Sequence, residues 1–463
     1  MATTASASLQ HLVDPAFQMA FRGEMIAPDD PGYDEARKVY NAMIDRRPGL
    51  IVKAVDAADV IAAVNLAREN NLLVSIRGGG HNAGGLGVAD GALTIDLSEM
   101  NGVHVDTHDN TVQVEGGAVW GDVNHAAFPF GLGVPAGIIS TTGVGGLTLG
   151  GGLGYLSRAY GLSIDNLVSA DMVLADGRYV TASNDENPDL FWAIRGGGGN
   201  FGVVTSFTFK GNPVSMVAAG PMLWPMDRAA EILKFYDGYM QTAPREMGGF
   251  FAFLTVPPVD DFPAELHLKK MCGIVQCCSD PDKADVHMMP ARALAPALDG
   301  VQVVPWPAMQ SAFDALYPKG DQWYWKADFV DELSDEAIAR HVEWGEKLPT
   351  GQSTMHLYPI NGAVHDVAQD ATAWAYRNSR YSSVIVGVDP DPASTPALKE
   401  WARGYYDALH EFNPGAAYVN FMMDDEGSER IQATYGPNYS RLVDVKRKYD
   451  PDNLFRVNQN ITP

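Results

Sequence analysis

Residues 76–82 read IRGGGHN and follow the β-branched, apolar run LLVS. Glycine has no Cβ, so it takes φ > 0 and lets backbone N–H groups approach a ligand closely. Successive N–H groups of such a loop form a nest suited to a polyanion such as pyrophosphate. Arg77 precedes the loop with a positive charge, and His81 sits inside it with a nucleophilic imidazole. What the chain can fold into depends on what that loop holds.

Two more glycine tracts follow, at 134–166 (VPAGIISTTGVGGLTLGGGLGYLSRAYGLSIDN) and at 196–199. Each glycine costs roughly 0.5–1 kcal/mol against alanine inside a helix or strand. The tracts therefore read as non-helical nests, backbone laid against a flat or extended ligand. Around them, residues 33–49 read as a helix and PGLIVKAV as a strand. Asp56 then opens an amphipathic helix with Asp59 as a capping-box-like partner and Val60, Val64 and Ala67 on one face. Strand, loop and two alternating strands (ALTIDLS, TVQVEGGA) come next. LVSADMVLADGRYVTAS reads as a hairpin turning at Asp176-Gly177, a pair suited to a type I′ turn. A helix capped at Asn187 leads through the third glycine loop to a strand from Gly202. Past Pro213 glycine thins, and helices at 228–239, 334–348 and 396–412 alternate with strands at 250–256, 271–277 and 382–388. That is the pattern of an antiparallel sheet backed by helices, so the fold class is α+β.

Several familiar sites are excluded. Gly78-x-Gly80-x-x-Ala83 and Gly197-x-Gly199-x-x-Gly202 both satisfy a dinucleotide fingerprint, but a Rossmann loop runs from strand into helix. The first is followed by GGLGVADG and a strand, and the second runs from helix to strand. No glycine loop continues into Lys-Ser/Thr, no C-x-x-C pair occurs, and G-x-S-x-G is absent.

The 463 residues suffice for roughly three units or two larger lobes, and 46% hydrophobic content supplies a core. A net charge of −24, from 57 acidic against 33 basic residues, opposes nucleic acid or an anionic membrane as partner. The first residues show neither a basic nor an apolar leader region, and no run is long enough to span a bilayer. A cytoplasmic protein is expected. Cys272, Cys277 and Cys278 fall in a strand-like run where neighbours face opposite sides, which suits buried thiols.

The motifs IRGGGHNAGGLGVADGALTIDLS, STTGVGGLTLGGGLGYLSRAYGLSIDN, DLFWAIRGGGGNFGVVTSF and YDPDNLFRVNQNI, in this order, resemble the vanillyl-alcohol-oxidase superfamily. The resemblance is to its bacterial berberine-bridge-enzyme-like branch, with a PCMH-type FAD-binding domain, and it covers nearly the whole chain. It implies a two-part FAD domain, a small βαβ lobe plus a larger mixed-sheet lobe. That domain would use residues 1–213 and a C-terminal return at 415–463. A substrate lobe at 214–414, with an antiparallel sheet and helices, would cover the isoalloxazine.

By the same resemblance, His81 carries the 8α-methyl of FAD, in a single linkage because no cysteine occupies the second tract near Val134-Pro135. Arg77, Gly78, Gly79, Gly80 and Asn82 would surround it. Ser140, Thr141, Thr142, Gly143, Gly145 and Gly146 would meet the pyrophosphate and flavin, and Gly151, Gly154 and Tyr155 would follow along the ring. Gly202 and Val204 resemble adenine-side contacts, and Asn458 with Gln459 resembles the tail returning to the flavin.

Related sugar oxidases use tyrosines of a Y-x-N-Y element as the base that helps hydride leave an alcohol carbon. Here the element is Tyr418-Val419-Asn420-Phe421, so the second tyrosine is missing. Tyr418, Asn420 and Tyr439 are the expected catalytic-site residues. His356, Tyr358 and Arg377 are further lining candidates, and Trp323, Tyr324 and Trp325 a candidate aromatic wall. The implied activity is an oxidase acting on a small alcohol, sugar, amine or secondary metabolite, with O₂ as acceptor. A dehydrogenase with another acceptor, or a flavin-containing binding protein without turnover, are the alternatives.

Overall fold

The computed structural model describes residues 8–463. β1 (Glu24–Ile26), β2 (Leu50–Lys53), β3 (Val74–Arg77) and β4 (Leu93–Asp96) form a small sheet in the order β1-β2-β4-β3. β2 and β3 run parallel to β4, and β1 is antiparallel to β2. Helix α1 (Ala57–Glu69) crosses from β2 to β3, with the Asp56 carboxylate accepting from Asp59 N–H. Val60, Val64 and Ala67 are fully buried on its inner face. The Asp59 carboxylate does not close a box on Asp56. It accepts from the N–H groups of Arg22, Gly23 and Val55, tying the helix to the entering chain. The glycine loop leaves the carboxyl end of β3, the end at which parallel sheets bind ligands.

The second sheet is β5 (Val103–Asp106), β6 (Thr111–Glu115), β7 (Leu167–Val173), β8 (Tyr179–Ser183) and β9 (Val203–Lys210), ordered β5-β6-β9-β7-β8 with every pairing antiparallel. Its β7–β8 turn differs from the type I′ expectation. Leu174 N–H donates to Arg178 O across a three-residue loop, and only Gly177 takes φ > 0, at 84°. A type I′ turn needs two such residues.

The third sheet has eight strands. Its long members are β10 (Met216–Pro225), β11 (Met247–Thr255), β12 (Lys270–Cys278), β13 (Gln322–Val330), β14 (Thr354–Pro359) and β15 (Tyr381–Asp389), ordered β10-β12-β11-β14-β15-β13. Alternation along β12 sends Cys277 to one apolar cluster and Cys278 to another on the opposite face. All three thiols are free and buried.

Two further expectations fail. Residues 33–49 are helical only over Tyr33–Ala36. Beyond it the chain becomes a strap, because its groups are captured from outside: Tyr40 N–H donates to Gly80 O, and Ala42 N–H to Asp321 O. The second glycine tract contains helix α2 (Val144–Gly150), so it is not purely a non-helical nest. Burial of Val144, Thr148 and Leu149 outweighs a propensity cost of about 1 kcal/mol for each interior glycine. On the outer face of the third sheet lie α3 (Ala229–Thr242), α4 (Asp335–Gly345) and α5 (Thr395–His410), which contribute Ile232, Tyr236, Ile338, Trp401 and Tyr405 to one core. The architecture is α+β. Among the described residues no helix is long and apolar enough to cross a membrane.

Candidate active site

A long cleft separates the two smaller sheets from the inner face of the third. One wall is glycine backbone: Gly78, Gly79 and Gly80 after β3, Gly143, Gly145 and Gly146 at the start of α2, and Gly198, Gly199 and Gly202 before β9. These loops touch. A Cβ on Gly79 would lie 2.5 Å from Gly143 N, and one on Gly143 would lie 2.4 Å from Gly79 N. Gly116 O fills the next gap, 3.2 Å from a Cβ on Gly78 and 3.1 Å from one on Gly145. Gly146 differs, since a Cβ there meets nothing within 4 Å and would stand in the cleft. The wall can therefore lie flat against a planar or extended ligand.

His81 is set into this wall. Its Nε2 lies 3.0 Å from Thr141 Oγ1 and its Nδ1 3.4 Å from Thr142 Oγ1, and its ring stacks on Tyr40 with centroids 3.9 Å apart. Desolvation, helped by the positive charge of Lys319, lowers its pKa to about 4. The ring is therefore neutral at physiological pH. Tyr40 is fixed by donating to Tyr317 O at 2.6 Å. Neither Tyr40 nor its neighbour Asn41 stood out in the sequence, because their partners are remote. The fully buried Asn41 amide donates to Ala83 O and Trp323 O and accepts from the N–H groups of Met43 and Trp323.

Other expected residues take different places. Arg77 lines the cleft, but its guanidinium pairs with buried Asp96 at 2.6 Å on the adjacent strand, so its charge is already matched. Asn82, Val204, Asn458 and Gln459 line the cleft. Ser140 does not, because its N–H and hydroxyl both bind the Asp314 carboxylate. Thr141 reaches the cleft only through His81. Gly151 backs onto the Tyr418 and Trp374 rings, and Gly154 onto Ala136 O, so both serve close packing. Tyr155 is buried between Phe250 and Trp306, away from the cleft.

At the other end Tyr418 and Asn420 line the cleft. The Tyr418 hydroxyl accepts from Gly152 N–H at 2.7 Å and from Asn420 Nδ2 at 2.7 Å, while Asn420 Nδ2 also donates to Leu147 O at 2.9 Å. Burial lifts the Tyr418 pKa to about 12 against the pull of those donors, so the phenol stays protonated. Tyr439 is not part of this group. It begins helix α6 (Tyr439–Tyr449), and the ring of that region reaching the cleft is Tyr435. Arg377 is also elsewhere, fully buried and pairing with both oxygens of Asp165 at 2.7 and 3.0 Å.

The third sheet supplies the facing wall: Trp323, Trp325, Thr354, His356, Tyr358, Val384 and Val386. Only two of the three successive aromatics belong to it. Alternation along β13 turns Tyr324 to the outer face, where it binds Asp425 and Arg403. The indole N–H groups of Trp323 and Trp325 are buried and have no partner among the described residues.

The C-terminal tail closes the remaining end with Phe455, Val457, Asn458 and Gln459. It is held by Lys446, fully buried, whose ammonium donates to Asp450, Asn200 O and Phe455 O. Burial pulls its pKa down while Asp450 opposes the fall. The Asn458 amide donates to Gly199 O, and its buried Oδ1 has no partner among the described residues. A flat glycine wall with an unmatched amide oxygen beside it fits a large, polar-edged planar ring.

A glycine-walled cleft beneath an antiparallel, helix-backed lobe defines a two-domain cofactor-dependent enzyme. Residues 48–183 match the sequence model described as FAD binding domain, and residues 417–462 the one described as berberine and berberine like. An FAD-linked oxidoreductase of Bacillus subtilis is 33% identical over 451 residues, 95% of this chain and 97% of the relative. Another, from Dictyostelium discoideum, is 31% identical over 430 residues, 92% and 91% of the two chains. The crystal structure of 6-hydroxy-D-nicotine oxidase from Arthrobacter nicotinovorans superposes with a TM-score of 0.84 at 26% identity, covering 96% of this chain and 99% of that one. This chain belongs to the berberine-bridge-like FAD-linked oxidoreductases of the vanillyl-alcohol-oxidase superfamily. It is an enzyme, and its cofactor is FAD.

Proposed function

We propose that the chain is an oxidase carrying FAD on a single covalent link from His81 to the flavin 8α-methyl, and that it oxidises a small, uncharged molecule with O₂ as final acceptor. The cofactor domain in this reading comprises residues 1–213 and 415–463, and the substrate lobe 214–414. The observation that carries the link is the state of His81. A ring neutral down to about pH 4, oriented by two threonines and stacked on Tyr40, keeps a nitrogen lone pair available in the glycine wall. When bound, the flavin supplies the two-electron acceptor for a substrate C–H bond.

The residues divide by role. Gly78, Gly79, Gly80, Gly143, Gly145, Gly146 and Gly202 admit the flavin and its phosphates to the backbone, and Asn82, Thr142, Val204 and Asn458 flank them. Tyr418, protonated and anchored to Gly152 N–H, orients the substrate by donating a hydrogen bond, with Asn420 holding its ring. The facing wall contributes aromatic surface, and none of its side chains carries a formal charge at neutral pH. This favours an uncharged substrate. The likeness to 6-hydroxy-D-nicotine oxidase supports the oxidase reading.

The test is acid precipitation of the purified protein, followed by peptide mass analysis. Yellow colour in the pellet, and a flavin mass on the peptide containing His81, are expected. Colour wholly in the supernatant would refute the link. Anaerobic addition of uncharged alcohols and amines, followed by air, tests the oxidase reading by flavin bleaching and by peroxide release.

A further inference from the structure

Phe421 stands in the cleft where a proton acceptor would be useful, and phenylalanine accepts no proton. Against it, with ring centroids 5.7 Å apart, lies Tyr358 of β14. Two residues earlier on the same face of that strand is His356, whose Nδ1 lies 2.7 Å from the Tyr358 hydroxyl. Both side chains line the cleft, and Phe250 packs over both, 4.4 Å from the imidazole and 5.0 Å from the phenol. The pair is thus rigid and open to the cleft. Among the described residues, the Tyr358 hydroxyl makes this one hydrogen bond.

Tyr418 differs in kind. Its oxygen already accepts two hydrogen bonds, from Gly152 and Asn420, which occupy both lone pairs of a neutral phenol. It has a proton to give and no place to receive one. Tyr358 has a different arrangement: with Nδ1 of His356 unprotonated, the phenol proton points at that nitrogen and the oxygen lone pairs stay free for a donor in the cleft.

Building on the oxidase reading above, we infer that Tyr358 is the catalytic proton acceptor of this enzyme and that His356 is the positioning residue that draws off its proton. The substrate O–H bond breaks, and its proton forms a new bond to Tyr358 Oη. The original Tyr358 proton moves at the same time to His356 Nδ1. The freed oxygen electron pair becomes the second bond of the product carbonyl. The neighbouring C–H bond breaks with its electron pair going to oxidised FAD, the oxidant of this family. The substrate loses two electrons and two protons in all, leaving as one hydride and one proton. Burial keeps His356 uncharged in the resting enzyme and equally opposes the imidazolium, so the ring takes the proton only as the hydride departs.

The relay requires Nδ1 of His356 to be unprotonated and to accept from Tyr358. Nitrogen NMR of the holoenzyme labelled at histidine, with His356→Asn supplying the assignment, should show Nδ1 as a hydrogen-bonded imine nitrogen. Tyr358→Phe should move that resonance to the free imine position. A protonated Nδ1, or no shift in the variant, overturns the relay. Stopped-flow flavin reduction under argon supplies the second readout, using whichever of benzyl alcohol, 4-hydroxybenzyl alcohol, glucose and xylobiose bleaches the wild-type flavin fastest. Tyr358→Phe, and His356→Asn, which keeps an acceptor near the Nδ1 position but takes no proton, should each slow reduction by about 10²-fold or more. The substrate concentration at half-maximal rate should change less than about threefold. Reduction at the wild-type rate in either variant overturns the inference while leaving the oxidase reading intact. Failure of the wild-type flavin to bleach with any of the four counts against the oxidase reading itself, and the NMR result still decides the relay.

Discussion

Gly79 and Gly143 face each other backbone to backbone across the base of the cleft, and neither has room for a methyl group. Gly79→Ala or Gly143→Ala drives a Cβ into a peptide unit, which costs about 1–3 kcal/mol of overpacking. Gly146→Ala, which meets no neighbour and lies inside α2, should hold or raise the melting temperature of the flavin-free protein while lowering bound flavin. Thermal melts and the flavin-to-protein absorbance ratio separate the two cases.

Tyr418→Phe removes the acceptor of the Gly152 N–H and of one Asn420 hydrogen bond. The buried Gly152 donor then lacks a partner, a loss of about 1–3 kcal/mol in stability by urea unfolding. Turnover should fall as well, since the substrate loses its donor. An unchanged midpoint together with unchanged turnover would refute the role given to this phenol.

Acid should destabilise the protein before its carboxylates titrate. Burial lowers the pKa values of His341 and His356 to about 3, against about 6.5 in an unfolded chain. The unfolded chain therefore takes up the protons first. This contribution is complete above about pH 6.5 and is lost as pH falls towards 3. Below about pH 5.5 the two rings together should give a slope near 2.7 kcal/mol per pH unit. His341→Gln should lower the slope below about pH 5.5 by about 1.4 kcal/mol per pH unit, measured from urea midpoints.

Lys446→Met leaves the Asp450 charge buried without its partner, and breaking such a pair costs about 3–5 kcal/mol. The tail from Phe455 to Gln459 loses its anchor in the same step. Loss of stability by denaturant unfolding should therefore be accompanied by weaker flavin retention on gel filtration of a His81→Ala background.

The alternation of helices and strands past Pro213 was enough to read the α+β class, and the family resemblance carried by the ordered glycine tracts implied FAD. Local pattern also placed α1, α4 and α5 to within a few residues. It failed where the deciding partner was distant in the chain. Residues 37–49 have helical composition, yet Asn41 is claimed by Ala83 and Trp323. Arg77 reads as an anion binder until its neighbour on β4 turns out to be Asp96. The aromatic run at 323–325 divides by strand alternation, and β13 itself was not read as a strand. Tyr439 and Arg377 attracted notice as residue types, but packing turns one to a helix start and the other to Asp165.

The Asn41 amide spends every donor and acceptor it has on bridging the glycine loop to β13. Modularity in this molecule therefore does not follow the linear order of the chain. A chimera that exchanged residues 214–414 for the lobe of a relative would import a new β13 while keeping the old strap. Such a graft would leave a buried amide searching for partners at the seam. The unit that must travel with the substrate lobe includes the short strap near the other end of the sequence.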